Sequence, residues 1–206
     1  MHKKIIDISV GISPDMLIYP GDPKPQVETI FSIEKDGAKV SCISFGSHTG
    51  THIDAPSHIF KDGITVDQVQ LNGLVGKALL LDFSTNGELI TGSNLKVASR
   101  RFEHIPDITI ILLKTGNFAY LDKSGAHWIT RNGFTTVGVD SMSVDVPSEM
   151  MVHEQLLGNG INIVECLDLH EANEGVYGFM CLPLKIIDCD GAPARAVLFL
   201  DCFFQE

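Results

Sequence analysis

Ser47-His48-Thr49-Gly50-Thr51-His52-Ile53-Asp54-Ala55-Pro56-Ser57-His58 places three histidines and one carboxylate within eleven residues. Each of those four side chains binds divalent metal or moves protons. His48, His52, Asp54 and His58 all carry even numbers, so a straight strand would send them out from one face. It would not bring them together. Four extended residues span up to ~13 Å, whereas the ligands of one zinc ion each lie ~2 Å from it. The chain must bend here. Gly50 permits the backbone angles of a turn, and Pro56 keeps Ala55 out of helical geometry. Thr49, Gly50 and Thr51 are poor interior helix formers, so the expectation is a bent loop following a strand.

Outward from this segment, residues 27–33 and 40–45 alternate in part like half-buried strands. Residues 78–83, 108–114, 161–166 and 196–204 are near-continuous apolar runs, the pattern of strands buried on both faces. Candidate helices lie between them at 93–104, with Ser93 as cap, at 121–132, and at 148–157, ending at Gly158. Strands alternating with short helices predict a mixed α/β domain, and hairpin-like early strands argue against a purely parallel, doubly wound sheet. The fold class expected is α/β, as a single compact β-rich domain over residues 1–206. No internal repeat, low-complexity tract or Ser/Pro-rich linker divides it.

Composition narrows the function. Fifteen basic against twenty-six acidic side chains give a formal charge of -11, a field that repels phosphate backbones and anionic membrane surfaces. The expected partner is a small molecule, not nucleic acid or membrane. The five cysteines, Cys42, Cys166, Cys181, Cys189 and Cys202, are odd in number and contain no Cys-x-x-Cys pair, which argues against a disulfide framework. The N-terminus reads as a first strand rather than a signal, and no eighteen-residue apolar run occurs, so the expected setting is the reducing cytoplasm.

Two histidines plus Asp54 are a plausible three-ligand set for zinc or manganese, with room for water. Gly46-Ser47-His48-Thr49-Gly50 is not a nucleophile elbow, because His48 stands where that pattern needs Ser. Cys166 lies in an apolar run and reads as a buried, inert thiol. Glu165 closes the same run, at the end of a strand where α/β folds often place ligands. Asp168, His170, Glu171 and Glu174 follow, either at a cavity mouth or as solvated loop charges.

His-Thr-Gly-Thr-His-x-Asp-Ala-Pro-x-His resembles the signature of the cyclase-like metal-dependent hydrolases, the family of bacterial kynurenine formamidase and isatin hydrolase. Tyr19-Pro20-Gly21-Asp22 resembles the family's early aromatic element. His153, Leu156-Leu157-Gly158 and Ile163-Val164-Glu165 resemble its second metal-binding region. Leu182-Pro183-Leu184-Lys185 and Gly191-Ala192-Pro193-Ala194-Arg195-Ala196 resemble its C-terminal element. The resemblance implies a swivelling β/β/α fold, in dimers or tetramers. It implies that His48, His52 and Asp54 bind one divalent metal, that His153 binds a second, and that Asp54 and Glu165 bridge. Zinc is the first expectation and manganese the alternative. His58 is then the proton-transfer residue, and Tyr19 stands where the formamidases carry a substrate-contacting Trp.

A divalent ion lowers the pKa of bound water toward ~7 and so supplies a nucleophile. With His58 as proton carrier, the expected reaction is hydrolysis of an amide C–N bond in a small aromatic or cyclic molecule. Arylformamidase activity on N-formylkynurenine comes first and cyclic amide or imide hydrolysis second. A metal-dependent cyclase or lyase and a non-catalytic metal-binding module are the rival classes.

Overall fold

The computed structural model describes residues 5–85, 87 and 89–200. In chain order its strands are β1 (Ile5–Asp7), β2 (Gln26–Phe31), β3 (Val40–Ser44), β4 (His52–Asp54), β5 (Val75–Asp82) and β6 (Leu89–Ile90). They continue with β7 (Ile108–Lys114), β8 (Tyr120–Leu121), β9 (Thr136–Val139), β10 (Asn162–Glu165), β11 (Gly175–Pro183) and β12 (Gly191–Phe199). The helices are α1 (Ile33–Asp36), α2 (Gly92–Ser99), α3 (Lys123–Arg131) and α4 (Met151–Leu157).

Strands β12, β11, β5, β7, β9, β10 and β4 form one sheet in that order, and β4 also pairs with β12. The seven strands therefore close into a barrel-like ring, which removes free sheet edges. β1 extends the other end of the β12 edge, beyond its pairing with β4. Pairing is parallel through β5, β7, β9 and β10 and antiparallel elsewhere in the ring. The parallel strands follow from the apolar runs: β7 is buried on both faces, with Ile110, Ile111, Leu112 and Leu113 all fully buried.

Strand alternation sorts these residues into two cores. Ile53, Ala78, Leu80, Ile110, Leu112, Val164, Phe179 and Ala192 fill the interior of the ring. Leu79, Leu81, Ile111, Leu113, Val137 and Ile163 point outward and pack under Leu95, Ala126, Ile129 and Leu156 of the helices. β9 turns Gly138 inward. A Cβ there would lie 2.7 Å from Leu112 Cδ2 and 2.8 Å from Leu167 Cδ1, so the ring interior has no room for a side chain at that position.

The structure bears out the mixed α/β, strand-rich expectation and shifts several boundaries. Residues 108–114 are a strand as predicted, while the 78–83 run begins three residues earlier because Val75, Gly76 and Lys77 also pair. The predicted 27–33 strand stops at Phe31, and Ile33 begins α1. The helix predicted at 93–104 begins at Gly92 and is capped by Thr91 rather than Ser93. Thr91 and Asn94 form a reciprocal capping box. Helix α3 is capped by Asp122, whose carboxylate accepts from Gly125 N–H. The last predicted strand, 196–204, starts at Gly191; its residues 201–204, like Cys202 and residues 1–4, lie outside the described residues. β9 and β11 were not expected, because Gly138, Gly175 and Gly178 interrupt their apolar pattern. Among the described residues no helix is long and apolar enough to cross a membrane.

Leu112 fills the ring interior from the middle of β7, so Leu112→Ala is expected to destabilise the protein by ~2–5 kcal/mol. Equilibrium denaturation checks this; a loss below ~1 kcal/mol would mean the ring core collapses around the cavity.

Candidate metal centre

The segment predicted as a bent loop does bend, but it also holds a strand, which corrects the loop expectation. Gly50 has φ +63°, the left-handed region that favours glycine. The chain then runs as β4 through His52, Ile53 and Asp54, and Ala55 stays extended before a 3₁₀ turn over Pro56–His58. Pairing supplies the missing force for a three-residue strand: β10 lies on one edge and β12 on the other. Because Ile53 points into the ring, His52 and Asp54 point out of it, and Glu165, opposite His52, shares their face. α4 covers this face and brings His153.

These side chains meet in space. Asp54 Oδ1 lies 2.8 Å from His48 Nδ1 and 3.4 Å from His52 Nε2, and Asp54 Oδ2 lies 3.3 Å from His153 Nε2. Glu165 faces the same groups, with Oε1 3.3 Å from His153 Nε2 and Oε2 3.6 Å from His52 Nε2. Three overlapping triads result: His48/His52/Asp54 and Asp54/His153/Glu165, sharing Asp54, and a half-buried one, His48/His58/Asp190, sharing His48 with the first. His52, Asp54, His153 and Glu165 are buried.

The geometry fits cations better than hydrogen bonds. Ligands ~2.0–2.1 Å from one tetrahedral ion lie about 3.3 Å from each other, and most of these contacts fall at 3.3–3.6 Å. His52 Nε2 and Asp54 Oδ2 are buried without a hydrogen-bond partner, a state that costs ~1–3 kcal/mol or more for each group. A divalent metal bound here removes that cost. The outer ring nitrogens are already committed: His52 Nδ1–H donates to the Gly50 carbonyl at 2.8 Å, and His153 Nδ1–H to Asp145 Oδ2 at 2.7 Å. Nε2 of each ring is thereby left for the metal.

Two carboxylates here escaped sequence reading. Asp145 accepts from the backbone N–H groups of Val152 and His153 as well as the His153 ring, so it caps α4 and aims its ligand together. Asp190 Oδ2 lies 3.0 Å from His48 Nε2. An Asp in the loop before a helix, or one just before Gly191, carries no distinctive local pattern; the signal is its distance in space from a histidine.

His58 lies outside the two triads that share Asp54 and belongs only to the half-buried His48/His58/Asp190 group, with its ring 4.1 Å from that of His48 and 5.8 Å from that of His153. Burial lowers its pKa, with His48 and His153 adding to the effect against Asp54 and Asp190. His58 and Tyr19 line a cavity of about 270 Å³, together with Leu17, Ile18, Met142 and Met150 and with His48, His52, His153 and Glu165. Cys166 also lines it, half-buried at φ +54°, so it is not the buried thiol expected. Asp168, His170, Glu171 and Glu174 do not line it. His170 is exposed and pairs with Asp168 at 2.5 Å, and Glu174 pairs with Arg101.

A closed mixed sheet carrying a buried His/Asp/Glu cluster beside a cavity is the architecture of metal-dependent hydrolases, and the comparisons agree. The model of the Cyclase family matches residues 6–146, and the chain belongs to that family. It is 34% identical over 206 residues to a kynurenine formamidase of Bacillus mycoides (strain KBAB4), covering 94% of this chain and 96% of that one. A structure described as a predicted metal-dependent hydrolase from Bacillus stearothermophilus superposes with a TM-score of 0.80 at 30% identity, covering 97% and 99% of the two chains. Isatin hydrolase A from Labrenzia aggregata shares the fold at 21% identity, with a TM-score of 0.85 over 95% and 93% of the chains.

Without metal, neighbouring carboxylates hold the ligand imidazoles protonated against the opposing effect of burial, raising His48 and His52 and taking His153 to about 12. Metal must displace those protons. Metal binding is therefore expected to release protons near neutral pH and to weaken as pH falls, by about tenfold per pH unit for each proton displaced. Calorimetry in buffers of different ionisation enthalpy measures the release; binding without proton uptake by buffer would contradict the assignment of these histidines.

Proposed function

We propose that this protein is a metal-dependent arylformamidase that hydrolyses N-formylkynurenine to kynurenine and formate. The observation that carries the reading is the pair of triads sharing buried Asp54, whose other members His48, His52, His153 and Glu165 line the cavity. Kynurenine formamidases that align over nearly the whole chain support the substrate. His48, His52 and Asp54 would hold one ion, and His153 and Glu165, with Asp54 shared, a second. Zinc suits these imidazole and carboxylate ligands, with manganese as the alternative. An ion held there supplies Lewis acidity and an activated water.

The chain's own residues do the rest. Leu17, Ile18, Met142 and Met150 give the cavity an apolar wall for an aryl ring, and Tyr19 adds a stacking face and a hydroxyl. His58, half-buried and facing the cavity, takes a proton as water adds to the carbonyl and returns it to the leaving nitrogen. Its lowered pKa keeps it neutral, and so able to accept, at neutral pH. The -11 formal charge, the free described cysteines and the family resemblance support a small-molecule enzyme of the reducing cytoplasm. They favour no role on nucleic acid or membrane.

The β2/β3 hairpin supports a homodimer, with a homotetramer built from it as the larger assembly. Val27, Ile30, Phe31, Val40 and Ile43 are exposed on a two-stranded sheet that packs apart from the ring, and such a hairpin is marginal in water without a partner surface. Light scattering is expected to give at least twice the chain mass; a monomer at micromolar concentration would contradict this.

The test of activity is a screen of metal-stripped and metal-reloaded protein against N-formylkynurenine, isatin and simple cyclic imides in ¹⁸O-labelled water. The expected result is metal-dependent cleavage of N-formylkynurenine with label in formate. Turnover of isatin or an imide alone would make it a cyclic-amide hydrolase, and product without label a lyase or cyclase. His58→Ala is expected to retain metal and lower kcat/KM by about 10²–10⁴. Loss of metal would make His58 a ligand, and full activity would remove it from proton transfer. Bound metal without any turnover in the unmodified protein would favour a non-catalytic module.

A further inference from the structure

We propose that Asp190 is a positioning residue that sets the ring orientation of both His48 and His58 through one carboxylate oxygen. The proposal rests on reading His48 as a ligand and His58 as the proton carrier. Asp190 Oδ2 lies 3.0 Å from His48 Nε2 and 3.6 Å from His58 Nδ1. The first contact leaves His48 Nδ1 directed at Asp54, 2.8 Å away, on the metal side. The second leaves Nε2 of His58 as the nitrogen free to accept a proton, because the nitrogen that faces a carboxylate is the one that keeps its hydrogen. A 3.6 Å separation becomes a hydrogen bond with a shift of about half an ångström, as catalytic contacts commonly do when substrate binds.

The fold holds Asp190 where this requires. Its backbone carbonyl accepts from Ala55 N–H at 2.9 Å, and Gly191, next in the chain, pairs with Asp54 in the β12/β4 register. The Ser47 side chain helps keep its carboxylate ionised, and Cys189 Sγ approaches the other oxygen at 3.6 Å. Gly191 completes the clamp. A Cβ there would lie 2.9 Å from both His48 Cε1 and the Ile53 carbonyl, so the His48 ring is confined between the Asp190 carboxylate and the β12 backbone. One side chain thus couples a ligand to the proton carrier. Carboxylates behind metal-bound histidines commonly account for 10–100-fold in metal affinity or activity.

The test is Asp190→Asn, which keeps the shape but removes the charge, in the full-length metal-loaded protein. Zinc affinity is read by chelator competition, turnover of N-formylkynurenine by kcat and KM separately, and the His58 tautomer by ¹⁵N-resolved NMR of the ring nitrogens. Expected are a 10–100-fold loss of zinc affinity, a fall in kcat of at least about tenfold with KM changed less than about threefold, and a His58 proton that moves from Nδ1 to Nε2. Ser47→Ala, which loosens the same carboxylate, is expected to change each readout in the same direction by less. Asp190→Ala with added acetate serves as rescue, since Asp190 is partly exposed. Unchanged affinity, kcat and tautomer in Asp190→Asn would overturn the proposal while leaving the hydrolase reading intact. Failure of the unmodified protein to bind zinc or turn over would instead overturn that reading. Equal losses of kcat and of thermal stability with no tautomer change would assign Asp190 a purely structural part.

Discussion

Asp54 is 1% exposed and faces three imidazoles, from His48, His52 and His153. A carboxylate removed from water needs compensating positive charge, and everything around it is arranged to provide that. The charge comes from protonated histidines when metal is absent and from metal when it is bound. The surrounding imidazoles hold Asp54 well below the usual carboxylate range, against the opposing effect of burial. Its second oxygen still lacks a hydrogen bond. The cluster therefore has the side chains to hold a divalent ion and lacks the positive charge that such an ion would bring.

Strand closure is what makes that burial hold. β4 is three residues long and would not persist alone, yet it is the strand that shuts the ring, paired on both edges. The same pairings set which side chains meet: Glu165 opposite His52 through β10, Gly191 opposite Asp54 through β12. Ring closure, ligand geometry and the placement of Asp190 are consequences of one register. A slip of one residue would turn Ile53 outward and the ligands into the apolar core.

The strands buried on both faces were legible because burial of that kind demands consecutive apolar residues, as in Ile110, Ile111, Leu112 and Leu113 of β7. β4 was not, since two of its three residues, His52 and Asp54, are polar and its partners lie more than a hundred positions away. Ring closure is a long-range property with no local mark. In the site, His48, His52, Asp54, His153 and Glu165 were legible from the resemblance, and the structure gathers all five. Asp145 and Asp190 were missed because an aspartate at a turn or helix start looks the same whether it caps backbone or orients an imidazole. Cys166 was misread for the opposite reason: it follows an apolar run, but its left-handed backbone ends that run and turns the residue to the cavity.

If metal supplies the charge missing around Asp54, a crystal structure of zinc-loaded protein, with anomalous data collected at the zinc edge, will show it. The expected result is one peak ~2.0–2.2 Å from His48 Nδ1, His52 Nε2 and Asp54, and a second, where occupied, at the same range from His153 Nε2 and Glu165. Peaks confined to the exposed His170 and Asp168, or no peak within ~4 Å of Asp54, would contradict it.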